Sequence, residues 1–128
     1  MKVVKLPKEL QEEYFNKIDD ELLLESKMLR ELDHPNIVRL IEVFRDNRKL
    51  CLITELCKGT NLVADILKRK IFSEPEAAFI IWQLLLAVNY CHKKEVSHRD
   101  IKLDNILVDT KSLHIKLIDF GHACLFNP

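Results

Sequence analysis

Val96-Ser97-His98-Arg99-Asp100-Ile101-Lys102-Leu103-Asp104-Asn105-Ile106-Leu107-Val108, followed across a hairpin-sized gap by Asp119-Phe120-Gly121, decides how the whole chain is read. From Glu95 to Asp104 the sequence is polar and irregular. Ile106 to Val108 and His114 to Ile118 are then two short apolar runs around Asp109-Thr110-Lys111-Ser112, the pattern of a small β-hairpin. Isolated Asp and Asn residues are ordinary turn formers. That explanation does not account for His-Arg-Asp, a Lys two residues on, an Asn five on and Asp-Phe-Gly occurring together in this order.

Working outward, Ser73 with Glu76 three residues later predicts a capping box for a long helix ending near Lys93. That helix is apolar on most sides and is expected to be central and buried. Leu62 to Lys70 predicts a shorter amphipathic helix, preceded by a break at Lys58-Gly59-Thr60. Ile37 to Phe44 and Lys49 to Glu55 predict an antiparallel strand pair. Before His34-Pro35, residues Lys8 to Leu32 favour a helix whose last turns set Leu22, Glu25, Leu29 and Leu32 on one side. Residues 2 to 6 predict a strand stopped by Pro7.

The motif region resembles the eukaryotic protein kinase family, matching its catalytic loop and its metal-binding Asp-Phe-Gly. The resemblance is nearest to the calcium/calmodulin-dependent and calcium-dependent kinases. It implies an α+β, bilobal fold: an incomplete N-lobe sheet with the helix the family calls αC (1–57), then the first half of a mainly helical C-lobe (58–128). It also implies ATP and Mg2+ as cofactors and a protein Ser/Thr hydroxyl as phosphate acceptor. Phosphoryl transfer passes through a loose transition state with its charge on phosphate oxygens, so positioning and charge neutralisation carry it. By the resemblance, Asp100 accepts the hydroxyl proton, Lys102 meets the γ-phosphate, and Asn105 and Asp119 supply hard oxygens to the metal. A Lys two residues after the Asp marks the Ser/Thr type within the family.

Upstream likeness is less specific per residue. Glu25 to Val38 is similar to the end of αC and the strand after it, which makes Glu25 the partner of the ATP-phosphate lysine. Met1-Lys2-Val3-Val4 makes Lys2 that lysine, while Lys2-Val3-Val4-Lys5 can also be aligned with Lys5 in the role. Leu52 to Gly59 resembles the fifth strand and hinge: Thr54 as gatekeeper, the Glu55 carbonyl and Cys57 amide on the adenine edge, and Leu107 beneath the ring. Asn61 stands where a ribose-contacting acid is common, and Leu29, Leu40, His98 and Phe120 match the stack that joins the lobes.

A kinase domain has about twice this length, and nothing here matches its Gly-rich loop or the segment that follows Asp-Phe-Gly. The resemblance therefore implies truncation at both ends, low or no transfer by these 128 residues alone, and an apolar surface open to self-association or chaperone contact. The alternative is a non-catalytic, kinase-like binding module. Lys+Arg and Asp+Glu are both 20, so net charge gives no reason to expect nucleic acid or an anionic membrane as partner. Gln83 interrupts the longest apolar run, Ala77 to Val88, which falls short of the ~20 residues that span a bilayer. Cys51, Cys57, Cys91 and Cys124 have no metal-ligand spacing, which fits reduced, mostly buried thiols of a cytoplasmic protein.

Overall fold

A computed structural model describes residues 2–3, 22–46 and 49–126 of the chain. The elements run β1 (Lys2–Val3), helix α1 (22–31), β2 (Leu40–Asp46), β3 (Lys49–Thr54), β4 (Thr60–Asn61), α2 (Leu62–Arg69), α3 (Glu74–Lys93), β5 (Val96–Ser97), a 3-10 turn (Leu103–Asn105), β6 (Ile106–Val108), β7 (Ile115–Leu117) and β8 (Cys124–Leu125). Three small antiparallel sheets result, in the orders β1-β3-β2, β4-β6-β7 and β5-β8. This is an α+β architecture of small sheets and three helices, as the motifs led one to expect.

The side of α1 marked by Leu22, Glu25, Leu29 and Leu32 is buried along its length. The part of the predicted helix before residue 22 and the strand residues Val4 to Leu6, including Lys5, lie outside the described residues. β2 and β3 pair as expected, with Phe44 opposite Cys51 and a register shift between Leu40 and Glu42. The first of the two predicted strands starts late, however. Ile37 makes an isolated parallel bridge to Leu117, and Val38 N–H donates to Leu117 O at 3.0 Å, before the chain turns into β2. The apolar residues of this segment thus serve two sheets, which a single run of Ile, Val and Leu does not reveal.

The helix α3 begins with the capping box the sequence predicted: Ser73 Oγ accepts from Glu76 N–H, and the Glu76 carboxylate accepts from Ser73 N–H at 2.9 Å. It is not buried all round. Ile80, Gln83, Ala87 and Cys91 face the core, while Phe79, Ile81, Trp82, Leu85 and Leu86 are exposed. Gln83 is the polar residue of the buried side, and its amide is fully used. Its Oε1 accepts from Asn36 Nδ2 (3.0 Å) and Ile115 N (3.2 Å), and its Nε2 donates to Leu113 O (2.8 Å). Asn36 Nδ2 also donates to Ile115 O at 3.1 Å. A buried amide is tolerated only when satisfied in this way. The network fixes the loop after α1 to α3 and β7.

Gly59 lies where β4 passes β6. Its φ is +96°, and a Cβ placed there would stand 1.9 Å from the Val108 carbonyl oxygen, so both backbone conformation and space require glycine. A single core runs through these layers, from Leu29 and Leu32 through Ile37 and Leu52 to Val108, Leu117 and Phe120. All four cysteines are free; Cys51 and Cys91 are buried and Cys57 and Cys124 half-buried. Burial pushes the Cys91 thiol up to about 11, so it is inert packing material. No helix among the described residues is long and apolar enough to cross a membrane.

Candidate active site

The loop between β5 and the 3-10 turn is held by its histidine. His98 is buried, its Nε2 lies 3.1 Å from Ile118 O, and its Nδ1 accepts from Asp100 N–H at 3.2 Å. Accepting at Nδ1 assigns the proton to Nε2, which then donates to Ile118. Burial lowers the His98 pKa, which keeps this neutral tautomer in place. The imidazole also packs edge-on against Phe120, with ring centroids 4.6 Å apart. One residue thereby ties His-Arg-Asp to Asp-Phe-Gly through a hydrogen bond and a ring contact.

Two residues here hold left-handed backbone: Arg99 at φ 63° and Asp119 at φ 63°. Such conformations cost about 1–3 kcal/mol each unless surrounding contacts fix them, and Asp tolerates them better than most residues. At Arg99 the contact is visible, since its Nε donates to His122 O at 2.7 Å. At Asp119, Gly121 N–H donates back to Oδ1 at 3.4 Å.

The carboxylate of Asp100 is asymmetric. Lys102 Nζ and Asn105 Nδ2 both reach Oδ2 at 2.8 Å, and His122 Nδ1 stands 3.8 Å from the same oxygen. Oδ1 accepts no hydrogen bond from the described residues, so one oxygen is fixed and the other is presented outward. The Lys102 ammonium, followed by Asn105, holds the Asp100 carboxyl below its ordinary range, and Asp100 in turn raises Lys102. Replacing Lys102 with Met should therefore let the Asp100 pKa rise. The carboxyl titration of Asp100, followed by NMR, is expected to move to higher pH, because the ionised form is lost sooner as pH falls. A carboxyl titration unchanged in Lys102→Met would contradict this pairing.

Asn105 is buried, and its Nδ2 spends its hydrogens on the Asp100 carbonyl (2.9 Å) and carboxylate. What remains for a cation is the amide oxygen, the donor that a hard metal prefers. Ile118 N–H donates to Asn105 O at 2.9 Å, which brings Asp119, the next residue, beside it. The described residues contain no group of three or more His, Cys, Asp or Glu side chains that could hold a metal. An Asn-plus-Asp pair fits instead a cation that keeps waters and takes further oxygens from its ligand.

A cavity of about 510 Å³ opens beside these groups, lined by Glu25, Leu29, Val38, Leu52, Thr54, Glu55, Leu56, Cys57, Leu107, Ile118 and Asp119. Seven of the sequence-predicted residues, Glu25, Leu29, Thr54, Glu55, Cys57, Leu107 and Asp119, thus share one cleft. Its size suits a small organic ligand, and its walls are mainly apolar with a few polar groups. Asn61 is not among the lining residues; its Oδ1 accepts from Ala64 N–H at 2.8 Å as the N-cap of α2. The backbone of Lys2 pairs with Leu52, in the strand that lines the cleft, while its side chain and Lys5 lie outside what the structure describes. Sequence reasoning passed over Lys116, whose Nζ donates to Glu55 Oε1 at 2.6 Å on the edge of this cleft. Lys and Glu are 61 residues apart, so no local pattern marks the pair.

A family model described as the protein kinase domain matches residues 1–128. The chain is 44% identical over 112 residues to calcium-dependent protein kinase 5 of Plasmodium falciparum (isolate 3D7), covering 84% of this chain and 20% of that protein. It is 43% identical over 105 residues to calcium-dependent protein kinase 3 of Plasmodium yoelii yoelii, covering 80% and 20%. Sperm motility kinase 3A of Mus musculus is 44% identical over 107 residues, covering 84% and 21%. This chain belongs to the protein kinase domain family. It spans about one fifth of the length of the curated relatives it matches.

Proposed function

We propose that the protein carrying this chain is a Ser/Thr protein kinase, transferring the γ-phosphate of ATP to a Ser or Thr hydroxyl of another protein. The observation that carries the reading is the Asp100 carboxylate, fixed at Oδ2 by Lys102 and Asn105 and presenting Oδ1. Oδ1 is the acceptor for the hydroxyl proton, and the depressed Asp100 pKa keeps it ionised near neutral pH. Lys102, half exposed, is free to turn its ammonium toward a transferring phosphate. Asn105 and Asp119 would hold Mg2+, whose charge would offset that of the phosphate oxygens.

The cleft takes the nucleotide, with Thr54 at its back, the Glu55 carbonyl and Cys57 amide on the adenine edge and Leu107 below the ring. On this reading Glu25 is the partner of the lysine that meets the ATP phosphates, while Asn61, engaged as the N-cap of α2, stands outside the lining of the cleft. The side chain at Lys102 supports the Ser/Thr assignment through the family pattern. Four unpaired cysteines support a reducing, intracellular setting. The exposed apolar side of α3 supports contact with a further protein surface, by self-association or with a chaperone.

The test is incorporation of γ-phosphate from labelled ATP, by the complete protein with Mg2+, into peptide libraries containing only Ser and Thr or only Tyr as acceptor. Transfer to the first library alone is the expected outcome. Transfer to Tyr would overturn the acceptor assignment, and nucleotide binding without transfer to either would favour a binding module.

A further inference from the structure

One ion pair bordering the cleft has no part in the scheme above. Lys116, on β7, donates from Nζ to Glu55 Oε1 at 2.6 Å and to the Ile37 carbonyl at 3.1 Å. Both side chains are largely covered, at 19% and 25% exposure, so solvent screens the pair less than an ordinary surface ion pair. Glu55 Oε1 also accepts from Arg39 N–H at 2.9 Å, and Glu55 N–H donates to Arg39 O at 2.9 Å. Partial burial by itself would raise the Glu55 carboxyl. The Lys116 hydrogen bond and the Arg39 amide outweigh it and hold the carboxyl below its ordinary range.

These contacts engage the amide hydrogen and Oε1 of Glu55 with Arg39 and Lys116, neither of which lines the cleft. Among the described residues its main-chain carbonyl has no comparable partner; the weakly donating Cys57 thiol stands 3.9 Å from it. The carbonyl is thus left available to a ligand while the carboxylate is held by Lys116. The same lysine sits three residues before Asp119 in the chain, so one side chain links the adenine end of the cleft to the strand that delivers the metal-binding aspartate.

We propose that Lys116 is a positioning residue for the nucleotide: its ammonium anchors Glu55 so that the hinge backbone is set to read the purine edge. The inference rests on the nucleotide reading of the cleft. Without Lys116, Glu55 would keep only the Arg39 amide, and an unanchored carboxylate at the rim would compete with its own carbonyl for the cleft.

The experiment compares Lys116→Met, Lys116→Arg and Glu55→Gln in the complete protein. Readouts are kcat, KM for ATP, and the dissociation constant of adenosine, which carries no phosphate. For Lys116→Met, KM for ATP and the adenosine constant are both expected to rise about tenfold, with kcat changed less than about twofold, because a charge-assisted hydrogen bond is lost away from the reacting atoms. Lys116→Arg should stay within about threefold of the parent, since it keeps the charge and a donor. Glu55→Gln, which retains an acceptor oxygen, should fall between them. If Lys116→Met does not fold, Glu55→Gln alone carries the test.

A lower melting temperature with unchanged KM and adenosine affinity would reduce Lys116 to a structural role and overturn the proposal. So would a weakened ATP with unchanged adenosine, which would mean that the ammonium acts on the phosphates. A parent protein that binds adenosine but transfers no phosphate would refute the kinase reading and leave the adenosine comparison decisive here. A parent that binds neither adenosine nor ATP would refute both.

Discussion

Replacing Asp100 with Ala is expected to lower kcat for peptide phosphorylation by about 10²–10⁴-fold, the usual weight of a positioned general base. The nucleotide dissociation constant should change by less than about threefold. Asp100 is bound to Lys102 and Asn105 through Oδ2 and does not line the cleft, so on the proposed reading its removal withdraws the proton acceptor without removing a wall. Single-turnover kinetics with saturating ATP, alongside equilibrium titration, separates the two quantities. Loss of ATP binding as large as the loss of rate would show that Asp100 holds the site together and would refute its assigned role.

Asp119 should behave oppositely. Asp119→Ala is expected to weaken MgATP binding by at least about tenfold, as loss of a metal ligand does, and to abolish transfer. Its φ of 63° complicates an alanine test, because Ala adopts left-handed backbone poorly. Asp119→Asn keeps a side chain that tolerates this conformation and removes only the charge. Titration of both variants with ATP in the presence and absence of Mg2+ gives the decisive comparison. In the parent, Mg2+ should strengthen ATP binding; in both variants that gain should largely vanish. A gain that persists in Asp119→Asn would contradict metal binding at this residue.

The residues proposed to carry the chemistry could be picked out of the sequence because they are nearly contiguous. Asp100, Lys102 and Asn105 occupy one short loop, and Asp119 follows one hairpin later, so their order and spacing survive in the linear sequence. The capping box at Ser73 was legible for the same reason. Three features were not. β5 and β8 are two residues each, too short for any periodicity, and they pair across 27 residues between Ser97 and Cys124. Lys116 looks like a polar position in an alternating strand, and its two partners are 61 and 79 residues away. In α3, apolar residues on most sides hide which face is covered, and only the contacts of Gln83 with Asn36 and Ile115 identify it. Local patterns record turns, caps and alternation; they do not record which distant carbonyl a lysine will find.

The amide network around Asn36 bears on how the two halves could move. Residues 36–38 are hydrogen-bonded along β7: Leu117 N–H donates to Asn36 O at 2.8 Å, and Val38 N–H to Leu117 O. Mechanically this short segment travels with β7 and α3, although in sequence it precedes β2 and β3. Any swing of α1 against β7 must be absorbed upstream of Asn36, between Leu32 and Pro35. That span is itself tethered: Asp33 N–H donates to the Tyr90 hydroxyl at 3.2 Å, and the His34 ring packs at a tilt of 36° against Tyr90 with centroids 5.1 Å apart. Tyr90, near the end of α3, thus clamps the turn that follows α1 to that helix.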